Sequence, residues 1–562
     1  MTQAEKGDPE NGKEKEREKE QRVGVKRPIV PAVVQESLQE QIQSNFIIVI
    51  HPGSTTLRIG RATDTLPVNI PHVIARRHKQ QGQPTYRDKW LLRDGLNKPE
   101  SNEQRQNGLK MVDQAIWSKK MSNGTRRIPV SPDQARAYNK QMRPAILDHS
   151  CGMKWTSTSH HPPFLVGEEY YRCILLVPDI YNRQHVKELV NMTLMKMGFS
   201  GIVVHQESVC ATFGSGLGSA CVVDVGDQKT NVCCVEDGIS HRNTRLCLAY
   251  GGSDVTRCLY WLMQRAGFPY RDCQLSNPLD CLLLQQLKET FTHLDQDISG
   301  LKDHEFQVRH PDSPTLLYQL RIGDERLQAP MALFYPATFG IVGQKMTTLQ
   351  YRSQGDPEDP HDEHYLLATQ SKQDQSAKAM ADRRALSKTG GFEGDQSDEI
   401  LDRIRPQEVE LGSSVNDCLG SRNESQEPPT AHMSRKTAIS QFEGKALGLD
   451  KAILHSIDCC SSEDTKKKMY SSILVVGGGL MFNKAQEFLQ HRILHKMPPS
   501  FRRVVENVEV ITRPKDMDPR LIAWKGGAVL ACLDTTQELW IYQREWQRFG
   551  VRMLRERAAF MW

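Results

Sequence analysis

The chain has 562 residues, room for several domains of about 100–200 residues each. Its 73 Lys and Arg against 68 Asp and Glu give a formal charge of +5, too balanced for a protein coated in nucleic acid, so any basic binding surface is local. Apolar residues make up 38%, below the roughly 45–50% usual for globular chains, so part of the sequence is expected to lie outside a core.

In chain order, residues 1–45 contain no aromatic residue and carry the mixed charge run Lys13–Glu20, the composition of a disordered tail, with a short helix near Val33–Ile42. Met1–Lys6 lacks the apolar stretch of a secretory signal. Order begins at Phe46–Ile50, an apolar run of strand length. Residues 76–144 are polar and basic. Arg76, Arg77, Lys79, Arg87 and Lys89 form one cluster; Lys119, Lys120, Arg126, Arg127, Arg136, Lys140 and Arg143 form a second, in which Asp133 is the one acid.

Core patterning returns with a strand at Cys173–Val177, a helix over His185–Met197 and strands at Ile202–His205 and Cys221–Asp224. It runs on to about Gly340. Residues 345–435 are rich in Ser, Gln, Lys and Asp without helical or strand period, which reads as an insertion. The core resumes at Leu447–Ile457, with a strand at Ile473–Val476 and a closing aromatic helix over Trp540–Trp546.

No run reaches the roughly 18 apolar residues that span a bilayer. The 14 cysteines are scattered without a CxxC and sit among apolar neighbours, as at Ala220–Val223. They read as buried thiols rather than a disulfide scaffold or zinc site, which points to cytosol or nucleus.

Three glycine-rich turns each follow an apolar strand. They are His51-Pro52-Gly53-Ser54-Thr55-Thr56-Leu57-Arg58, then Asp224-Val225-Gly226-Asp227-Gln228, then Gly477-Gly478-Gly479. Glycine lets backbone approach a phosphate closely, and turn N–H groups make an anion nest. Any one such turn is common without a ligand. Taken alone, Asp224 and Asp227 read as turn caps sooner than as ligand contacts, and Lys288-Glu289 as an exposed helix pair.

The three turns in this order and spacing resemble the actin superfamily, in which two hairpins clamp nucleotide phosphates from opposite lobes and a glycine turn holds the adenosine. Leu248–Asp254, Leu287–Thr290, Pro330–Pro336 and Trp524–Ala531 resemble further family segments. Ser200–Phe213, His304–His310 and the 345–435 insertion resemble one branch most, the actin-related subunits of INO-class nuclear chromatin remodellers.

The resemblance implies an α/β, bilobed actin-like fold of repeated ribonuclease H-like βββαβα units, with large insertions and a disordered N-terminal tail. It implies a first lobe over 46–216 carrying the basic insertion 76–144. A second lobe spans 217–504 with the flexible insertion 345–435, and 505–562 return to the first lobe. A family segment is missing after Glu169, where Tyr170–Leu175 follow at once, so the first lobe is expected to be a shortened form.

By resemblance the nucleotide site comprises Gly53, Ser54, Thr55, Thr56, Arg58, Asp224, Gly226, Asp227, Gln228, Lys288, Glu289, Gly477, Gly478 and Gly479, and the cofactor is ATP, with Mg2+ the family metal. His51 replaces the family's first-turn Asp, Asn231 its His, Arg58 its Lys and Gln228 a turn glycine. The family Gln falls on Gln206 or Glu207, two registers left open. These departures imply ATP binding with little hydrolysis, and no catalytic or metal-ligating residue is assigned.

Arg126, Arg127, Lys140 and Arg143 are the expected DNA or histone contacts, against the alternative of a solvated loop. Implied partners are a remodeller ATPase subunit, actin and other actin-related proteins, histones and nucleosomal DNA, in the nucleus and away from membranes, with roles in transcription, recombination and DNA repair. The rivals are an active ATPase or sugar kinase of the same superfamily and a cytoskeletal filament former.

Overall fold

The computed structural model describes residues 45–72, 91–93, 95–148, 171–310, 313–348, 446–505, 507–560 and 562. The expected N-terminal tail, the first basic cluster, most of the 345–435 insertion and the junction at Glu169 lie outside them.

Two mixed sheets form the two lobes. The first runs Ile541–Tyr542, Gly201–Gln206, Arg172–Val177, Ile47–Pro52, Thr56–Arg61, Val68–Pro71. Its three inner strands, Ile47–Pro52, Arg172–Val177 and Gly201–Gln206, are parallel. Strands covered on both faces read as unbroken apolar runs. Accordingly Ile47 and Val49 enter one core with Ile174, Leu176 and Val203, while Ile48 and Ile50 enter another with Cys173, Leu175 and Val204.

The second sheet runs Met346–Thr347, Leu246–Leu248, Thr230–Glu236, Ser219–Val225, Ile473–Val476, Val510–Ile511, with Ile239–Ser240 paired to Thr230–Glu236. A third sheet joins Lys302–Val308, Thr315–Ile322 and Ala145–Asp148. Cys173, Cys210 and Cys221 are buried thiols.

The lobes meet through two helices, Glu207–Ser215 and Ile522–Leu530. They cross at backbone contact, because a Cβ on Gly526 would overlap the carbonyl of Cys210 and one on Gly214 the carbonyl of Ile522. Trp524 locks the crossing to the first sheet by donating from Nε1 to the Val49 carbonyl at 3.1 Å. After Ile522 the chain covers the first sheet, as Trp546, Met553, Leu554 and Trp562 pack on Ile48 and Leu175.

Two expectations change here. The basic segment read as an insertion of the first lobe, with no element assigned to it, holds the helices Pro99–Trp117 and Pro132–Gln141. Leu109, Val112 and Ile116 pack into the core of the second lobe, Ser101 donates to the Gly340 carbonyl at 2.7 Å, and Ala145–Asp148 extend the third sheet. Three apolar side chains one helical turn apart carried that signal, diluted by the surrounding charge. The closing aromatic segment also differs: Ile541–Tyr542 is an edge strand, and the helix begins only at Gln543.

Candidate nucleotide-binding cleft

Between the two sheets lies a cleft of about 840 Å³. Two hairpin turns face into it, one from each sheet. Gly53 N–H closes the first on the Thr56 carbonyl at 2.9 Å, and Gly226 N–H closes the second on the Lys229 carbonyl at 3.0 Å. A Cβ on Gly53 would press on the Thr56 oxygen at 2.8 Å, and one on Gly226 on the Lys229 oxygen at 2.9 Å, so each turn needs glycine. Gly479 N–H bonds the Val225 carbonyl at 2.7 Å, which seats the third turn against the second.

Gly53, Ser54, Thr55, Thr56, Arg58, Asp224, Gly226, Asp227, Lys288, Glu289, Gly477, Gly478 and Gly479 all line this cleft. Gln228 does not line it; it sits exposed at the hairpin apex, in the turn between the strands ending at Val225 and starting at Thr230. His51, Glu207, Lys229 and Asn231 line it as well, together with Met481, Phe482 and the segment Asp518–Leu521. Of these, Lys229 and Asp518–Leu521 escaped the sequence reading: a lone Lys after a turn and a short loop far along the chain carry no period.

The open register resolves geometrically. Gln206 ends a strand and its side chain turns away toward Arg245, whereas Glu207 opens a helix and faces the cleft. Glu207 Oε1 lies 3.5 Å from His51 Nε2. Burial raises the Glu207 carboxyl, but the hydrogen bond and charge of His51, with Lys229 and Arg58 beyond, outweigh it and hold the group below the ordinary range. Asp224 goes the other way, pushed up to about 6 by burial and by the Glu207 charge.

Burial also lowers Lys288, against the pull of Asp227. Its ammonium donates to the Gly252 carbonyl at 3.2 Å. Arg58 Nε is buried with no hydrogen-bond partner among the described residues.

The cleft floor is a polar clasp between lobes. Ser208, from the first lobe, and Ser240, from the second, both donate to Asp179 Oδ1, at 2.5 and 3.1 Å. Arg245 donates to the Asp179 carbonyl at 3.3 Å. Among the described residues, no group of three or more His, Cys, Asp and Glu side chains is placed to hold a metal ion.

Two sheets joined by crossing helices, with a phosphate-sized turn from each facing one cleft, match the actin family, whose pattern fits residues 42–355 and 415–559. The chain belongs to the actin family. Within that family its relatives are actin-related protein 8 chains. The cow protein is 77% identical over 624 aligned positions, covering all of both chains, and the mosquito Aedes aegypti protein is 35% identical over 93% of this chain and 99% of its own.

The solved structure of human actin-related protein Arp8 in its ATP-bound state matches with 65% identity and a TM-score of 0.74, over 95% of this chain and all of that one. The cow alignment has 624 positions against 562 residues here, so 62 of its positions have no residue of this chain.

The four cations expected to meet DNA or histones separate. Arg126, Lys140 and Arg143 are exposed. Arg127 is 5% exposed. Its Nη2 lies 2.6 Å from Asp324 Oδ1, and its Nη1 donates to the Gln296 carbonyl at 3.0 Å. It pins the basic segment to the second lobe, so it is removed from the contact set. Nor do the other three line the cleft. No helix among the described residues is long and apolar enough to cross a membrane.

Proposed function

We propose that this chain is an actin-related structural subunit of a nuclear ATP-dependent chromatin-remodelling complex, one that binds ATP with little hydrolysis and contacts histones and DNA. The observation that carries the reading is the pair of glycine hairpins facing one cleft around Arg58, Lys229 and Lys288. One buried and two half-buried cations beside turn N–H groups are arranged for a polyphosphate. Likeness to a relative solved with ATP bound supports the same ligand.

Hydrolysis needs a water that is positioned and deprotonated. Glu207, in the place where the family carries Gln, is committed to His51, and Asn231 has no proton-accepting nitrogen. Losing one acid–base group removes about 10²–10⁴ of rate. This argues against the active-ATPase and sugar-kinase rivals. Against filament formation stands the bulk that the segment 95–148 adds to the second lobe, an obstruction to repeated head-to-tail packing.

Partners and compartment rest on the resemblance to nuclear remodeller subunits, and the exposed Arg126, Lys140 and Arg143 suit a sequence-tolerant phosphate-backbone contact. The reading includes a shortened first lobe, which the 62 positions of the cow alignment without a residue of this chain support.

Three measurements test it. Denatured protein is run on anion exchange for adenine nucleotide, and absence of nucleotide together with no binding on titration removes the ATP reading. Steady phosphate release with magnesium, at a rate typical of an active family ATPase, restores the first rival. Affinity purification from nuclei is expected to recover a remodeller ATPase subunit with actin; recovery of neither rejects the assembly.

A further inference from the structure

We propose that this cleft holds the triphosphate with its own cations and needs no divalent metal to do so. The inference rests on the nucleotide reading above and specifies how that site works.

Magnesium takes about six oxygen ligands in near-octahedral geometry and leans on carboxylates to anchor its waters. The first hairpin offers it an imidazole at His51, a ligand suited to softer metals. That imidazole also engages Glu207 across 3.5 Å, so a second oxygen donor is already taken. Asp227 faces the Lys288 ammonium. Asp224 faces Lys229 and Arg58. Each carboxylate at the phosphate end therefore has a protein cation opposite it, and among the described residues no three His, Cys, Asp or Glu side chains gather around one point. The donor set does not fit the family metal.

The same residues fit a bare polyphosphate. Arg58 Nε is buried without a partner among the described residues, and the guanidinium sits at the hairpin that would cradle the phosphates. A buried N–H donor left unpaired is costly until an acceptor reaches it. Lys288 is 7% exposed and donates to one backbone carbonyl, leaving ammonium protons for a second acceptor. Charge-assisted bonds from Arg58, Lys229 and Lys288 to phosphate oxygens supply the neutralisation that magnesium provides elsewhere.

The test is calorimetric titration of ATP into the full chain, stripped of nucleotide, once in EDTA and once in excess magnesium. Affinity in EDTA is expected to stay within about tenfold of that in magnesium. A loss of more than tenfold on chelation overturns the proposal while leaving ATP binding intact, and no binding in either buffer overturns the nucleotide reading itself.

His51→Asp supplies the missing carboxylate. It is expected to weaken metal-free binding by more than about tenfold and to make magnesium stimulatory. His51→Asn, of similar polarity without the added charge, separates that effect from misfolding, with a thermal melt of each variant run alongside. Metal-free binding by a folded His51→Asp chain equal to the parent's would overturn the role given to His51.

Discussion

His51 Nε2 and Glu207 Oε1 stand 3.5 Å apart, tying the first hairpin turn to the first turn of the helix that crosses between lobes. Both side chains are about one-tenth exposed, so the contact is little screened by water. Glu207→Ala is expected to destabilise the nucleotide-free chain by about 1–3 kcal/mol, because the imidazole is left buried without its acceptor. The His51→Ala, Glu207→Ala double variant is expected to lose less than the sum of the singles, with a coupling of about 0.5–3 kcal/mol. Urea midpoints of the four proteins measure it. Strict additivity would show that the two groups do not interact.

Arg127 and Arg126 are neighbours in sequence with opposite fates. Arg127 reaches Asp324, which also accepts from Trp117 Nε1 at 3.4 Å and from the Val130 N–H at 3.3 Å. Arg127→Ala strands that carboxylate and is expected to cost about 3–5 kcal/mol. Arg126→Ala, at an exposed position, is expected to stay within about 0.5 kcal/mol. DNA binding should respond in the reverse sense. Replacing Arg126, Lys140 and Arg143 together is expected to shallow the slope of log affinity against log salt by about one for each phosphate that is no longer neutralised. Fluorescence anisotropy with a duplex across a salt series reads the slope. An unchanged slope assigns DNA binding to another surface.

That pair also shows what sequence can and cannot deliver. Strands buried on both faces announce themselves as apolar runs, so Ile47–Ile50, Cys221–Val223 and Ile473–Val476 were legible, and the turns that follow them located the cleft. Charge gave no such guide. Arg126 and Arg127 look alike in a row of letters, and only the approach of Asp324, 197 residues away, makes one of them structural. Gln206 and Glu207 posed the same problem: one residue of register decides which side chain enters the cleft, and it is set by where the strand yields to the helix. The helix Pro99–Trp117 was missed because only three of its five buried residues, Leu109, Val112 and Ile116, are large and apolar, in a polar segment.

Gly526 supports the crossing of the two interlobe helices. A methyl group there has nowhere to go, since the Cys210 carbonyl occupies the space, and the facing Gly214 is blocked in turn by Ile522. Gly526→Ala is expected to push the helices apart at a loss of about 3 kcal/mol, the upper end of overpacking penalties. Val529→Ala on the exposed side of the same helix is expected to change stability by less than about 0.5 kcal/mol. Chemical denaturation of both variants checks this, and equal stability for the two would mean that the helices tolerate separation.

Acid should destabilise the fold through its buried imidazoles. Burial lowers His205, His293 and His304 each to about 4 from an ordinary 6.5. As pH falls below about 6.5 the unfolded chain takes up these protons while the folded chain refuses them, so the stability they confer is complete above 6.5 and drains away toward 4. Asp113 and Asp224 oppose this. Both are raised to about 6 by burial, bind protons more tightly when folded, and so favour the folded state as pH falls through 6 toward 3.8. Burial raises Asp179 and Glu325 too and lowers His455 and His491, so the imidazoles remain the larger set and a net loss on acidification is expected. His205 is the cleanest probe, since its Nδ1 accepts from the Gln206 N–H at 2.8 Å and a glutamine oxygen can take that bond without titrating. His205→Gln is therefore expected to flatten the fall of the urea midpoint between pH 7 and pH 5, by up to about 1.4 kcal/mol per pH unit below the histidine's unfolded pKa. A variant whose midpoint falls as steeply as the parent's would place the acid sensitivity on other groups.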